Sequence, residues 1–165
     1  MHSPNVARIR LRSVCRDDVE TIFQWRNDPW IVALSGSGRT VTRAEHETWF
    51  ANVLDQQQHL FFIIETNTHD EIGSVRVDRT DQHSAVVSIY LLEAYIGHGR
   101  GPAALREGTH LAFRAWPELA EIKAFIRPEN ARSVRAFANA GFARHNQPVE
   151  RSTNIEMRLP RPPEI

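Results

Sequence analysis

Three glycines at alternate positions, Gly97-His98-Gly99-Arg100-Gly101, lie between a strand-like run ending at Leu91-Leu92 and a helix-like run from Pro102 onward. Glycine lets the backbone take left-handed conformations and approach a ligand closely, and the first N–H groups of a helix are unpaired at the positive end of its dipole. A turn of this kind suits a phosphate or pyrophosphate. Pro102, read as the first helical residue, has no N–H to give. The expected donors are therefore the amides of Gly97 to Gly101, then Ala103 and Ala104. The same residues also fit a dinucleotide pattern, because Gly99-Arg-Gly101-Pro-Ala-Ala104 matches G-x-G-x-x-A. A match of that length is weak, and a tight loop with no ligand is the plainest alternative.

The elements around the turn decide among these readings. Ala7–Ser13 alternates apolar and basic residues as a half-buried strand does, and an acidic helix start at Asp17-Asp18 leads through Trp25-Arg26 to a stop at Asn27-Asp28-Pro29. The segment from Ile31 to Arg39 ends in Ser35-Gly-Ser-Gly38, a flexible loop. Thr42 with Glu45 forms a capping box for a helix over His46–Leu54. Leu60–Glu65, Ile72–Asp78 and Ala85–Leu91 read as a three-stranded antiparallel meander, joined by the polar turns Asn67–Asp70 and Thr80–His83. After the glycine turn come a helix to Trp116-Pro117, a strand Glu121–Ile126, and a helix capped by Asn130 and stopped by Gly141. Strands Phe142–Gln147 and Asn154–Leu159 close the order β-α-α-β-β-β-α-β-α-β-β. The fold class is α+β, a mixed and mostly antiparallel sheet of about seven strands with four helices. A dinucleotide fold needs repeated βαβ units, and here the turn follows a meander.

Composition narrows the partners. With 165 residues and 41% hydrophobic content, the expectation is one domain over 1–165 with a loose tail from 160. Lys plus Arg and Asp plus Glu both number 20, so no basic field points to nucleic acid. One cysteine, Cys15, permits neither an internal disulfide nor a cysteine-based zinc site, and the eight histidines show no H-x3-H pair, so no metal is expected. No apolar run suggests a signal peptide or a membrane span, and a cytoplasmic location follows by default. The chain is expected to be a monomer or a homodimer.

The element order, the turn, and the later Pro128-Glu-Asn130-Ala-Arg-Ser133-(x)3-Phe137-(x)3-Gly141-Phe142 together resemble the GCN5-related N-acetyltransferase (GNAT) family over nearly the whole chain. Ile96, Gly97, His98, Gly99, Arg100 and Gly101 fill that family's acetyl-CoA signature Q/R-x-x-G-x-G/A, with Ile96 in place of the usual Gln or Arg. The resemblance implies the GNAT fold and acetyl-CoA as co-substrate. It also implies that the backbone at Leu91-Leu92 pairs with the pantetheine arm, that the next strand splays away, and that Asn130 holds the opposite wall.

The implied reaction is direct acetyl transfer from a thioester to a small-molecule primary amine. It needs a deprotonated amine, a donor near the thioester carbonyl, and an acid for the departing thiolate. Phe137 occupies the place of the tyrosine that serves as this acid in many members. Ser133 matches the serine of a branch resembling ribosomal-protein N-terminal acetyltransferases, and its alternative role is a first-turn hydroxyl bonded to the backbone. Asp78, His83, Tyr90 and Glu93 are the candidate bases. Trp25-Arg26-Asn27 and His46-(x)2-Trp49-Phe50, with Ile72–Asp78, are similar to segments of 4-amino nucleotide-sugar acetyltransferases, which makes Trp25, Arg26, His46, Arg76 and Tyr90 acceptor-site candidates. The tryptophans and Phe50 have core packing as their alternative. The leading acceptor is a nucleotide-linked amino sugar. A protein N-terminal amine, or a non-catalytic acetyl-CoA binder, is the alternative.

Overall fold

The computed structural model describes residues 8–55, 57–146 and 153–163. In it β1 (Ile9–Ser13), β2 (His59–Thr66), β3 (Glu71–Arg79), β4 (Ser84–Leu91), β5 (Glu121–Ile126), β6 (Ala143–Arg144) and β7 (Ile155–Pro160) form one seven-stranded sheet. The order is β1-β2-β3-β4-β5-β7-β6, and β4/β5 is the parallel pair among antiparallel ones. The expected strand positions at Ala7 and Gln147 lie outside the described residues.

Period-two alternation in β2 assigns the two layers. Phe62 and Ile64 face one way, into a core with Val75, Val77 and Leu91 and with Leu105 and Phe113 of helix α4 (Arg100–Ala115). Phe137 of helix α5 (Ala131–Asn139) joins the same cluster. Phe61 and Ile63 face the other way, onto Ile22 and Trp25 of α1 (Val19–Arg26), Ile31 of α2 (Pro29–Leu34), and Phe50 and Val53 of α3 (Arg43–Asp55).

Helix α2 lies between the expected stop at Pro29 and the loop Ser35–Gly38, where the sequence reading places no element. Pro29 stops α1 but sits at the first turn of a new helix, where its missing N–H costs nothing, and the Asp28 carboxylate accepts from the Trp30 amide at 2.9 Å. The described residues thus hold five α-helices rather than four. The capping box before α3 is present: Glu45 N–H donates to Thr42 Oγ1 at 3.2 Å and Thr42 N–H to Glu45 Oε2 at 3.4 Å. Helix α3 begins at Arg43, earlier than the apolar spacing suggested.

Arg12 anchors β1 through ion pairs with Asp18, Glu65 and Glu71. Burial alone would raise the Asp18 carboxyl, but hydrogen bonds from Arg12 and from the Cys15 amide outweigh it and hold the group below its usual range. Among the described residues no helix is long and apolar enough to cross a membrane.

Candidate active site

Strands β4 and β5 pair only from Ser84 to Val86 against Glu121 to Lys123. Beyond that point they diverge, and the backbone of Val87–Leu91 has no partner strand on that side among the described residues. The opening is a cleft lined by free strand-edge groups, which an extended amide-bearing chain can satisfy.

The glycine turn lies at the wide end of the cleft. Gly97, His98 and Gly99 take φ of +95°, +58° and +71° in succession, a left-handed run that turns their amides outward. Among the described residues the amides of Gly97, His98, Gly99 and Gly101 donate to no protein acceptor. A Cβ at Gly97 would meet nothing within 4 Å, so the turn is open on that side. Helix α4 begins at Arg100, which makes Pro102 its third residue rather than its first. The Ala103 N–H donates to Gly99 O at 3.1 Å and is the first amide taken into the helix, so this expected donor is spoken for. The Arg100 side chain donates to Tyr95 O at 3.2 Å and braces the turn from behind. Ile96 packs against the core, as an apolar replacement of Gln or Arg would. The Leu92 amide is taken by Ile72 O at 2.8 Å, while Leu91 pairs with Gly73.

The opposite wall is the start of α5. Asn130 Oδ1 accepts from the Ser133 amide at 3.2 Å, capping the helix. The Ser133 hydroxyl makes no hydrogen bond among the described residues, so the expected alternative of a backbone-bonded first-turn hydroxyl is not what is seen. A Cβ on Gly101 would lie 3.8 Å from Ala136 Cβ and 3.9 Å from Leu91 Cδ1. The turn, the end of β4 and the α5 face carrying Ser133 and Ala136 therefore meet. Phe137 is 3% exposed and stands edge-on to Phe142 with centroids 5.0 Å apart, in the core and away from that face.

On the α1/α3 side of the sheet a cavity of about 80 Å³ is lined by Arg26, Trp49, Phe61, Ser74, Arg76, Ser88 and Tyr90. Strand register explains the set: Ser74 pairs with Tyr90, Arg76 with Ser88, and Phe61 with Arg76. These residues stand on one face because the side-chain period is two. Gly73 keeps the last rung of this ladder close, since a Cβ there would collide with the Tyr90 carbonyl.

The Arg26 guanidinium lies 4.0 Å over the Trp49 ring, and Arg76 approaches the same ring at 5.1 Å. His46 is completely buried. Its Nδ1 is 3.1 Å from Arg26 Nη1 and its Nε2 is 2.7 Å from Val19 O. Arginine only donates, so Nδ1 accepts and the proton sits on Nε2, donated to Val19. Burial pushes His46 below its usual pKa and keeps it neutral, with Arg26 adding to the effect. Arg26 is likewise pushed down, by burial and then by the charge of Arg76.

Of the five acceptor candidates, Arg26, Arg76 and Tyr90 line the cavity, His46 lies behind Arg26, and Trp25 does not line it. Trp25 is 9% exposed and packs edge-on against Tyr90 in the core, so its aromatic surface is spent on packing. Trp49 lines the cavity instead, while Asn27 clamps the loop before α3 by bonding both the N–H and C=O of Val41. Phe61, Ser74 and Ser88 were missed, although alternation within the meander would have placed them beside Arg76 and Tyr90.

The candidate bases separate. Burial pushes the Tyr90 hydroxyl up to about 12, with Ser74, Arg26 and Arg76 opposing, so it stays protonated at neutral pH. Asp78 is held by Arg76 at 2.9 Å and His59 at 2.6 Å. His83 sits in the β3–β4 turn, bonded to Glu118 O, at the far end of β4 from the glycine turn. Glu93 is exposed, in a short 3-10 turn (Glu93–Tyr95) between β4 and the glycines. Among the described residues no cluster of three or more His, Cys, Asp or Glu could hold a metal.

The model of the Acetyltransferase (GNAT) domain matches residues 8–143. Aminoglycoside acetyltransferase AAC(6')-Ib, solved with coenzyme A, is similar at TM-score 0.79 and 24% identity, covering 93% of this chain and 95% of that one. Spermidine N-acetyltransferase from Vibrio cholerae, solved with CoA and spermine, is similar at TM-score 0.76 and 19% identity, covering 91% and 92%. An uncharacterized protein of Methanocaldococcus jannaschii is 22% identical over 156 residues, 93% of this chain, which spans 32% of that relative's length. The left-handed glycine turn, the splayed β4/β5 cleft and the matched family model converge: the chain belongs to the GNAT acetyltransferase family.

Proposed function

We propose that the chain transfers the acetyl group of acetyl-CoA to the primary amine of a nucleotide-linked amino sugar that docks at the mouth of the cavity between α1, α3 and the β2–β4 face. The observation that carries this reading is the pair of guanidiniums, Arg26 and Arg76, at the Trp49 ring in a cavity lined by no carboxylate, cations suited to an acceptor that carries phosphate.

In this reading the amides of Gly97, His98, Gly99 and Gly101 hold the pyrophosphate of acetyl-CoA, the free edge of β4 up to Leu91 pairs with its pantetheine arm, and Asn130 shapes the opposite wall. A backbone N–H near the end of β4 faces the thioester carbonyl. The amine, once deprotonated through solvent, attacks that carbonyl carbon, the C–S bond breaks, Ser133 gives its proton to the departing thiolate, and the proton lost from the new amide nitrogen returns through solvent to restore the serine hydroxyl. A protein N-terminal amine fits less well, because it brings no phosphate for Arg26 and Arg76 to meet. Burial of Phe137 in the core, where many members place a catalytic tyrosine, supports the second reading of an acetyl-CoA binder without chemistry.

The test is CoA release from acetyl-CoA across 4-amino nucleotide sugars, N-terminal peptides, polyamines and aminoglycosides. Release with the nucleotide sugars above all others is the expected result. Release with peptides alone overturns the acceptor, and acetyl-CoA binding without release to any amine overturns the catalysis.

A further inference from the structure

We propose that the floor of the α1/α3 cavity is an oxyanion subsite in which Arg26, Arg76 and the Tyr90 hydroxyl hold a phosphate group of the acceptor. The cavity offers donors and no anion. Arg26 is half-buried, has no carboxylate within ion-pair distance among the described residues, and has His46 as its polar partner. That partner is neutral, since its Nδ1 accepts from Arg26 and its Nε2 proton goes to Val19.

Arg76 gives its Nε to Asp78, and its two terminal nitrogens make no hydrogen bond among the described residues. Asp78 is shared with His59, which leaves it little capacity for a second guanidinium. Tyr90 Oη is buried without a hydrogen bond of ordinary geometry, although Ser74 lies near enough to act on it. Buried donors left unpaired are costly, and two guanidiniums over one indole repel each other. An oxyanion between them removes both costs and takes the bidentate geometry that arginine favours.

The volume sets the scale of the occupant. About 80 Å³ is room for one small group and not for a nucleoside. The part of the acceptor read here is thus its phosphate, with the base outside. Polycations, such as the spermine bound by the Vibrio cholerae neighbour, would meet like charge in this cavity. This inference rests on the cavity being the acceptor site, and its test does not require turnover.

The experiment is calorimetric titration of inorganic phosphate and of acetate into protein saturated with CoA, so that the glycine turn is already filled. Phosphate is expected to bind, with acetate weaker. R26Q should weaken phosphate roughly ten- to hundredfold, as loss of a charge-assisted hydrogen bond does, and R76Q similarly. Y90F, which keeps the ring, should weaken it severalfold, and R43Q on the exposed face of α3 should leave it unchanged. No phosphate binding to wild type, tighter binding of acetate, or equal binding by R26Q, R76Q and Y90F in folded protein overturns the subsite. Phosphate binding without CoA release from any acceptor would instead uphold the subsite and remove the catalytic reading.

Discussion

Replacing Gly97 and Gly101 separately by alanine tests the glycine turn, because the two positions differ in backbone and surroundings. At Gly97 an added Cβ meets nothing within 4 Å, so the penalty comes from φ of +95° alone. A left-handed conformation costs an L-residue about 1–2 kcal/mol, which for a chain of this size lowers Tm by about 2–8 °C. The new methyl also projects into the open side of the turn, where the pyrophosphate is expected. Losing even one charge-assisted amide contact there should weaken CoA roughly ten- to hundredfold. Gly101 lies inside α4 without a positive φ, and its Cβ would make ordinary contacts at 3.8 and 3.9 Å. G101A should therefore keep CoA affinity and gain up to about 1 kcal/mol from the lower entropy of the unfolded chain. Thermal melts and CoA titration calorimetry read both effects. If G97A melts and binds like wild type, the left-handed turn is not the phosphate site; if G101A loses CoA as G97A does, the geometric distinction between them is wrong.

Ser133→Ala should lower kcat while leaving acetyl-CoA affinity nearly unchanged, since the amide that Asn130 caps is retained and only the free hydroxyl is lost; unchanged turnover removes Ser133 as the thiolate's acid. The buried, neutral His46 should make stability pH-dependent. Because its folded pKa is lowered, the unfolded chain protonates first as pH falls below about 6.5, so the full contribution is present above that value and is lost on acidification. Urea unfolding at pH 8 and pH 5.5 should show a smaller pH difference for H46Q than for wild type, and an equal difference would refute this.

Much of the framework was legible because its signals are local. Alternation marked the meander, the Thr42–Glu45 capping box survived into the structure, and the positive-φ turn fell on Gly97 and Gly99, with His98 between them. Helix α2 was not legible, because Pro29 is compatible both with ending one helix and with opening another, and the Asp28 cap chooses between them. The tryptophans show the same limit. Helical spacing treats Trp25 and Trp49 alike, yet α1 turns one edge-on into the core against Tyr90 while α3 leaves the other facing Arg26 and Arg76.

By itself the sequence determined the glycine turn and its place after an antiparallel meander and before a helix, a phosphate-binding geometry to which the family resemblance attaches acetyl-CoA. Those features depend on backbone conformation and near-neighbour spacing, which one stretch of chain carries. The character of the acceptor cavity was decided only by tertiary structure. Arg26 and Arg76 are fifty residues apart in sequence and meet at one indole ring because α1 and α3 pack on the β2–β4 ladder, whose register also turns Ser74, Ser88 and Tyr90 toward them. No local signal records that two cations will meet, since their proximity depends on how separate elements pack.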